Sequence, residues 1–110
     1  MKASDVKRKV DAEIAAMRNR SVADEISSLL VEPRLEQRDW EYGAEHQKLP
    51  CWIVLESSSS DVCIAFSEKG FGPERPWGLV FASSKKGLGM DSAWHRTLEE
   101  AFADMGEEDE

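Results

Sequence analysis

Three runs of β-forming residues, CWIVLE at Cys51–Glu56, VCIAFS at Val62–Ser67 and WGLVFAS at Trp77–Ser83, lie so close together that their spacing restricts how they can pair. A parallel crossover needs a dozen or more residues, usually with a helix. Ser57–Asp61 is a serine-rich turn, and Glu68–Pro76 is broken by glycine and proline, so neither supplies one. The runs must follow one another as antiparallel neighbours. CWIVLE is apolar on both faces, as a central strand is. Upstream, Arg34 to Tyr42 alternates with Arg34, Glu36, Arg38, Trp40 and Tyr42 on one face and Leu35, Gln37, Asp39 and Glu41 on the other. Neither face is simply apolar, so this segment reads as an edge or partly exposed strand. Gly43–Pro50 reads as a loop.

The flanks read as helices. Val6, Val10, Ile14 and Met17 recur at helical spacing over residues 4–19, with Ser4 as N-cap. Val22, Ile26, Leu29 and Leu30 would fall on the opposite side of an unbroken helix, so the face changes across Arg18–Ser21. Ser21, followed by Asp24 and Glu25, resembles a new start, giving a second helix over 22–31 that ends before Pro33. At the other end, Asp91 or Ser92 starts a helical turn carrying Trp94. Thr97 with Glu100 forms a capping box for an amphipathic helix on Leu98, Ala101, Phe102 and Met105, closed by Gly106. The expected architecture is α+β: a four-stranded antiparallel meander with N-terminal helices and a C-terminal helix, in the order ααββββα. Residues 1–106 form a single domain and 107–110 an acidic tail.

Charge narrows the partners. The net charge is −8, and it is unevenly spread. The first twenty residues carry six basic and three acidic side chains, whereas residues 97–110 carry seven acids and no base. This balance disfavours nucleic acid, whose phosphates need clustered lysine and arginine, and suits a cationic protein partner. Glu36, Asp39, Glu41 and Glu45 add an acidic cluster near the first strand. No apolar signal region opens the chain and no stretch is long and apolar enough to span a membrane, so the expectation is a cytoplasmic protein without membrane contact. Cys51 and Cys63 fit a reducing compartment. A hairpin turning at Ser57–Ser60 sets Cys51 opposite a residue near Phe66, which argues against a disulfide between the two thiols.

The spacing of residues carries no catalytic or metal signature. The histidines, His46 and His95, have no H-x₃-H partner, and the acids show no EF-hand spacing, so no metal site is expected. There is no G-x-S-x-G elbow, Cys63 reads as a small buried strand residue, and Gly70-x-Gly72 and Gly87-x-Gly89 lack the continuation of a nucleotide loop. The chain reads as a non-enzyme with no cofactor.

Recognition is better supported. Lys69–Gly78 (KGFGPERPWG) concentrates three glycines and two prolines around Phe71, Glu74, Arg75 and Trp77, making a shaped loop rich in residue types that dominate binding hot spots. Trp77 also shares a strand face with Leu79 and Phe81, which draws it toward the core. Arg38, Trp40 and Tyr42, on one face of the first strand, are a second candidate surface.

The succession Trp40-Glu41-Tyr42-Gly43, Pro50-Cys51-Trp52, Pro76-Trp77-Gly78 and Leu88-Gly89-Met90-Asp91 with Trp94, then Leu98-Glu99-Glu100-Ala101-Phe102, resembles small uncharacterised bacterial domains over about residues 30–105. No catalytic residue carries over from that resemblance. In size, acidity and α+β layout the chain is also similar to immunity proteins that neutralise antibacterial toxins, many of them cationic nucleases. That likeness implies a protein-binding inhibitor of a basic toxin. The alternative is a small-ligand-binding or regulatory domain with Trp40, Trp52 or Trp77 lining a pocket.

Overall fold

The computed structural model describes residues 2–39, 48–57, 61–68, 74–81 and 94–105. Helices α1 (Ala3–Ala16) and α2 (Arg20–Leu29) lead into strands β1 (Leu30–Asp39), β2 (Lys48–Glu56), β3 (Val62–Phe66), β4 (Trp77–Phe81) and β5 (Trp94–His95), and α3 (Leu98–Met105) closes the order. The sheet runs β1-β2-β3-β4-β5 with every neighbouring pair antiparallel, a meander as the short connections require.

The strand count differs from expectation. Trp94 lies in a fifth strand rather than a helical turn: Trp77 pairs with His95 and Gly78 with Trp94. Residue 78 is where the backbone needs glycine. A Cβ there would overlap Cδ2, Cε2 and Cε3 of the Trp94 indole, which rests on the glycine backbone. The first strand also begins earlier, at Leu30 and not at Arg34. Pro33 disfavours helical angles at Glu32 and cannot continue a helix itself, so the chain passes from α2 into β1 directly at Leu30 (φ −64°, ψ 143°).

The break between α1 and α2 also falls earlier than the apolar pattern predicts. Asn19, not Ser21, is the N-cap of α2, its side chain accepting the N–H groups of Ser21 (3.0 Å) and Val22 (3.3 Å). Arg20 Nη1 donates to the Met17 carbonyl at 3.0 Å, beyond the end of α1, and to the Ile14 carbonyl at 3.2 Å, which also accepts the Met17 N–H. At its start α1 is capped two residues earlier than Ser4. Lys2 is the N-cap residue, and its N–H donates to Asp5 Oδ2 at 2.8 Å.

That bond, reinforced by Arg8 at 3.0 Å, holds the Asp5 carboxyl below the usual carboxylate range. A lowered carboxylate pKa stabilises the fold above the unfolded value and stops doing so as pH falls through the folded one. The first turn of α1 should therefore loosen only in acid below the normal aspartate range. An NMR pH titration following the Lys2 amide should show a midpoint under that of a model aspartate.

The helices cover one face of the sheet. Val6, Val10 and Met17 of α1 and its C-cap, Ala23 and Ile26 of α2, and Leu98, Ala101 and Phe102 of α3 bury against Val54, Leu55, Ile64, Phe66 and Trp77. A bulge between Ile53 and Leu55 turns consecutive residues Val54 and Leu55 into this same core. The opposite face holds a second buried cluster of Cys51, Ile53, Cys63, Ala65, Val80 and Trp94. Both faces of β2 are thus buried, as its apolar composition implies. Glu56 stands opposite Cys63 and Trp52 opposite Phe66, so the two cysteines are out of register; both are buried, with no disulfide between them.

The C-terminal helix is capped from two directions. Thr97 Oγ1 accepts the Glu100 N–H at 3.1 Å, as the capping-box pattern predicts. The Leu98 N–H donates to Glu13 Oε1, in α1, at 2.9 Å. A carboxylate facing a helix N-terminus satisfies an orphan donor and opposes the positive end of the dipole. Glu13→Ala should cost about 1 kcal/mol in urea denaturation, while Glu13→Gln, which keeps an acceptor, should recover more than half of it.

Candidate functional site

The described part of the Lys69–Gly78 segment is the turn Glu74–Arg75 and the entry to β4; Phe71 lies outside the described residues. Both Glu74 and Arg75 are exposed, and the chain turns inward at once, since Pro76 is buried and Trp77 is 2% exposed. The base beneath them is tied together. The Ser67 N–H donates to the Pro76 carbonyl at 2.8 Å, and the Ser67 hydroxyl donates to the Pro50 carbonyl at 2.9 Å. The Phe66 and Trp77 rings meet at 4.8 Å between centroids, tilted by 57°. From α1, Lys9 Nζ sits 5.9 Å from the centre of the Phe66 ring and 3.7 Å from Glu68. Loop residues of this kind are positioned by a rigid scaffold, and here the scaffold is strands β2, β3 and β4 with one helix laid across.

Trp77 therefore leaves the set of partner-contacting residues. Its indole is a wall of the helix-side core, because it opposes Phe66 in register and shares that strand face with Leu79. What remains exposed is a mixed rim of Lys9, Glu68, Glu74 and Arg75. The expected second surface is described only in part. Arg38 stands in β1 opposite Leu49, its side chain outside the described residues together with Trp40 and Tyr42.

Of the acidic cluster expected beside the first strand, Glu36 is different in kind, while Glu41, Glu45 and the side chain of Asp39 lie outside the described residues. Glu36 is only 9% exposed and pairs with Arg34 Nε at 3.2 Å, while Arg34 Nη2 reaches Glu56 at 3.0 Å. Glu56, then burial and Glu36, shape the guanidinium, and the net effect holds its pKa above the usual arginine value. Glu36 is a buried partner of an internal ion pair, not a solvated carboxylate. The i, i+2 spacing of Arg34 and Glu36 places them on one strand face, which is the signal for this pair; the reach to Glu56 comes only with the β1–β2 register.

Against known protein families, curated proteins and solved structures, the chain finds no match.

Two further features complete the surface. A groove of about 380 Å³ runs between α1 and β1, walled by Val10, Leu30, Val31, Pro33 and Val54, with Lys7 and Glu32 4.0 Å apart at its rim. Among the described residues no aromatic side chain lines it; Trp52 packs instead on the helix-side core. Among the described residues no group of three or more His, Cys, Asp or Glu side chains is placed to hold a metal ion, and His95 Nε2 meets Asp104 at 3.0 Å. No helix among them is long and apolar enough to cross a membrane.

Proposed function

We propose that this chain is a non-enzymatic protein-binding domain, an immunity-type inhibitor that covers part of a cationic bacterial toxin and acts in the cytoplasm. The observation that carries the reading is the Glu74–Arg75 turn, exposed yet seated on a base fixed by Ser67, Pro76 and the Phe66–Trp77 contact. A turn seated on a tied base loses less entropy on docking than one on a loose base, so its contacts convert into affinity with less loss. The charge of −8 supports a basic partner, because it accelerates encounter at long range. The mixed signs of Lys9, Glu68, Glu74 and Arg75 then supply register at short range.

Co-expression with a cationic toxin domain encoded beside this gene, followed by calorimetry on the purified pair, tests the reading. Protection of growth and saturable binding are the expected results. Glu74→Lys with Arg75→Glu should weaken binding at least about tenfold while leaving the melting temperature unchanged, since both side chains are exposed. Absence of both protection and heat would overturn it.

The groove favours a second reading, a small-ligand-binding domain. Its volume falls at the small end of ligand sites, and its apolar walls with a charged rim suit a compact amphipathic molecule. A thermal-shift screen of metabolites separates the two, because a ligand selective for the folded state must raise the melting temperature. Lys7→Trp, at the exposed rim, sets an indole over the groove and should abolish such a shift without affecting toxin binding.

A further inference from the structure

We propose that two copies of this chain join edge to edge through β1, antiparallel and centred on Leu35, so that their sheets become continuous. Strand β1 is at one end of the sheet order, and among the described residues nothing pairs with its outer side. The direction of its free backbone groups follows from β2. The Pro50 carbonyl accepts from Ser67, on the β3 side, and a strand residue's own N–H and C=O point the same way. Gln37, opposite Pro50, is therefore in a non-hydrogen-bonded pair and presents its N–H and C=O outward. Leu35, two residues earlier, does the same, whereas Arg34 and Glu36 point theirs at β2.

The side chains choose the register. With Leu35 facing Leu35 of a second copy, Arg34 stands opposite Glu36 of that copy and Glu36 opposite its Arg34. Position 32, a glutamate, then falls opposite position 38, an arginine. A shift of one residue, centred on Glu36, would set Glu36 against Glu36 and Arg34 against position 38, with like charges facing in each case. Leu35 is 50% exposed, one of the large apolar side chains left open to water, and this register covers it with its own symmetry mate. The Leu35 pair exchanges two backbone hydrogen bonds, and each Gln37 N–H meets the carbonyl of Pro33 across the interface. Pro33 has no N–H to return, so pairing is one-sided there, where a proline is tolerated on an edge. Edge strands are commonly guarded by proline and by charge. In β1 the charges alternate in sign, so they complement a second copy of the strand.

Sedimentation equilibrium of the full chain over a concentration series is the test. A reversible monomer–dimer equilibrium is expected. Gln37→Pro removes an outward N–H and none of the ladder to β2, and Leu35→Lys sets like charges face to face at the two-fold axis. Each should raise the dimer dissociation constant by at least about tenfold, with melting of the dilute protein unchanged for Gln37→Pro. Monomer mass up to the solubility limit would overturn the proposal. So would a Gln37→Pro variant that folds and dimerises as the parent does.

Discussion

Gly78→Ala should remove a large share of the stability of this domain, although it adds a single methyl group. The new Cβ would lie within the volume of the Trp94 indole, and that ring is 2% exposed, packed with Cys51, Ile53, Cys63, Ala65 and Val80. Neither partner has room to give: the indole is enclosed, and Gly78 is fixed between Ala65 of β3 and Trp94 of β5. Overpacking a dense core costs about 1–3 kcal/mol and more where relaxation is blocked, so a loss of about 3 kcal/mol or greater is expected. A domain of this size has about 5–15 kcal/mol to lose, and each kcal/mol moves its melting temperature by roughly 4–8 °C. Thermal unfolding followed by circular dichroism should show a fall of at least about 10 °C. A double-mutant cycle identifies the cause. In a Trp94→Leu background the alanine should cost under about 1 kcal/mol, giving a coupling energy of about 2 kcal/mol between the two sites. Full additivity would mean that the indole does not rest on residue 78.

The second large effect is expected from the opposite change, a cavity. Phe102 has no exposed surface and lies with Val6, Val10, Ile26 and Leu98 where all three helices meet the sheet. Phe102→Ala should cost about 3–5 kcal/mol, the sum of lost transfer energy and an unfilled void. Phe102→Leu should cost less than half as much. Phe81 is the natural control, because it is 59% exposed at the end of β4 and the same truncation there should cost under about 1 kcal/mol. Urea denaturation of the three variants orders them. Equal losses at 81 and 102 would contradict the assignment of the core.

The contrast between these two phenylalanines shows what was legible in the sequence. Residues whose role follows from local periodicity were placed well: the apolar row of α1, the face of α3 carrying Phe102, the two-sided burial of CWIVLE, and the mismatch in register of Cys51 and Cys63. Residues whose role depends on a distant partner were not. A two-residue strand has no periodicity, so β5 exists only because Trp94 finds Gly78 of β4 to pair with. Asn19 and Ser21 are comparable caps by residue type, and the choice between them rests on where Arg20 reaches back to α1. The burial of Glu36 depends on its placement over the second core beside Arg34 and Glu56. The candidate site divides along the same line. Exposure of Glu74 and Arg75 follows from turn chemistry, whereas the inward turn of Trp77 follows from its pairing with Phe66 and the helices packed above it.

The bond from Leu98 to Glu13 spans 85 residues of sequence and has a consequence for how the chain is made. Synthesis delivers α1 and α2 first, and their apolar rows have no complete floor until the meander forms and no final wall until α3 arrives. Contacts between the two ends carry the largest loop-closure cost. Until residue 98 has emerged, a nascent chain shows Val6, Val10 and Ile26 to its surroundings, together with a strand edge at β1. That interval, more than any property of the finished fold, is when aggregation or a chaperone competes for the protein. A premature stop just ahead of Leu98 should therefore yield an insoluble product, not a shortened domain.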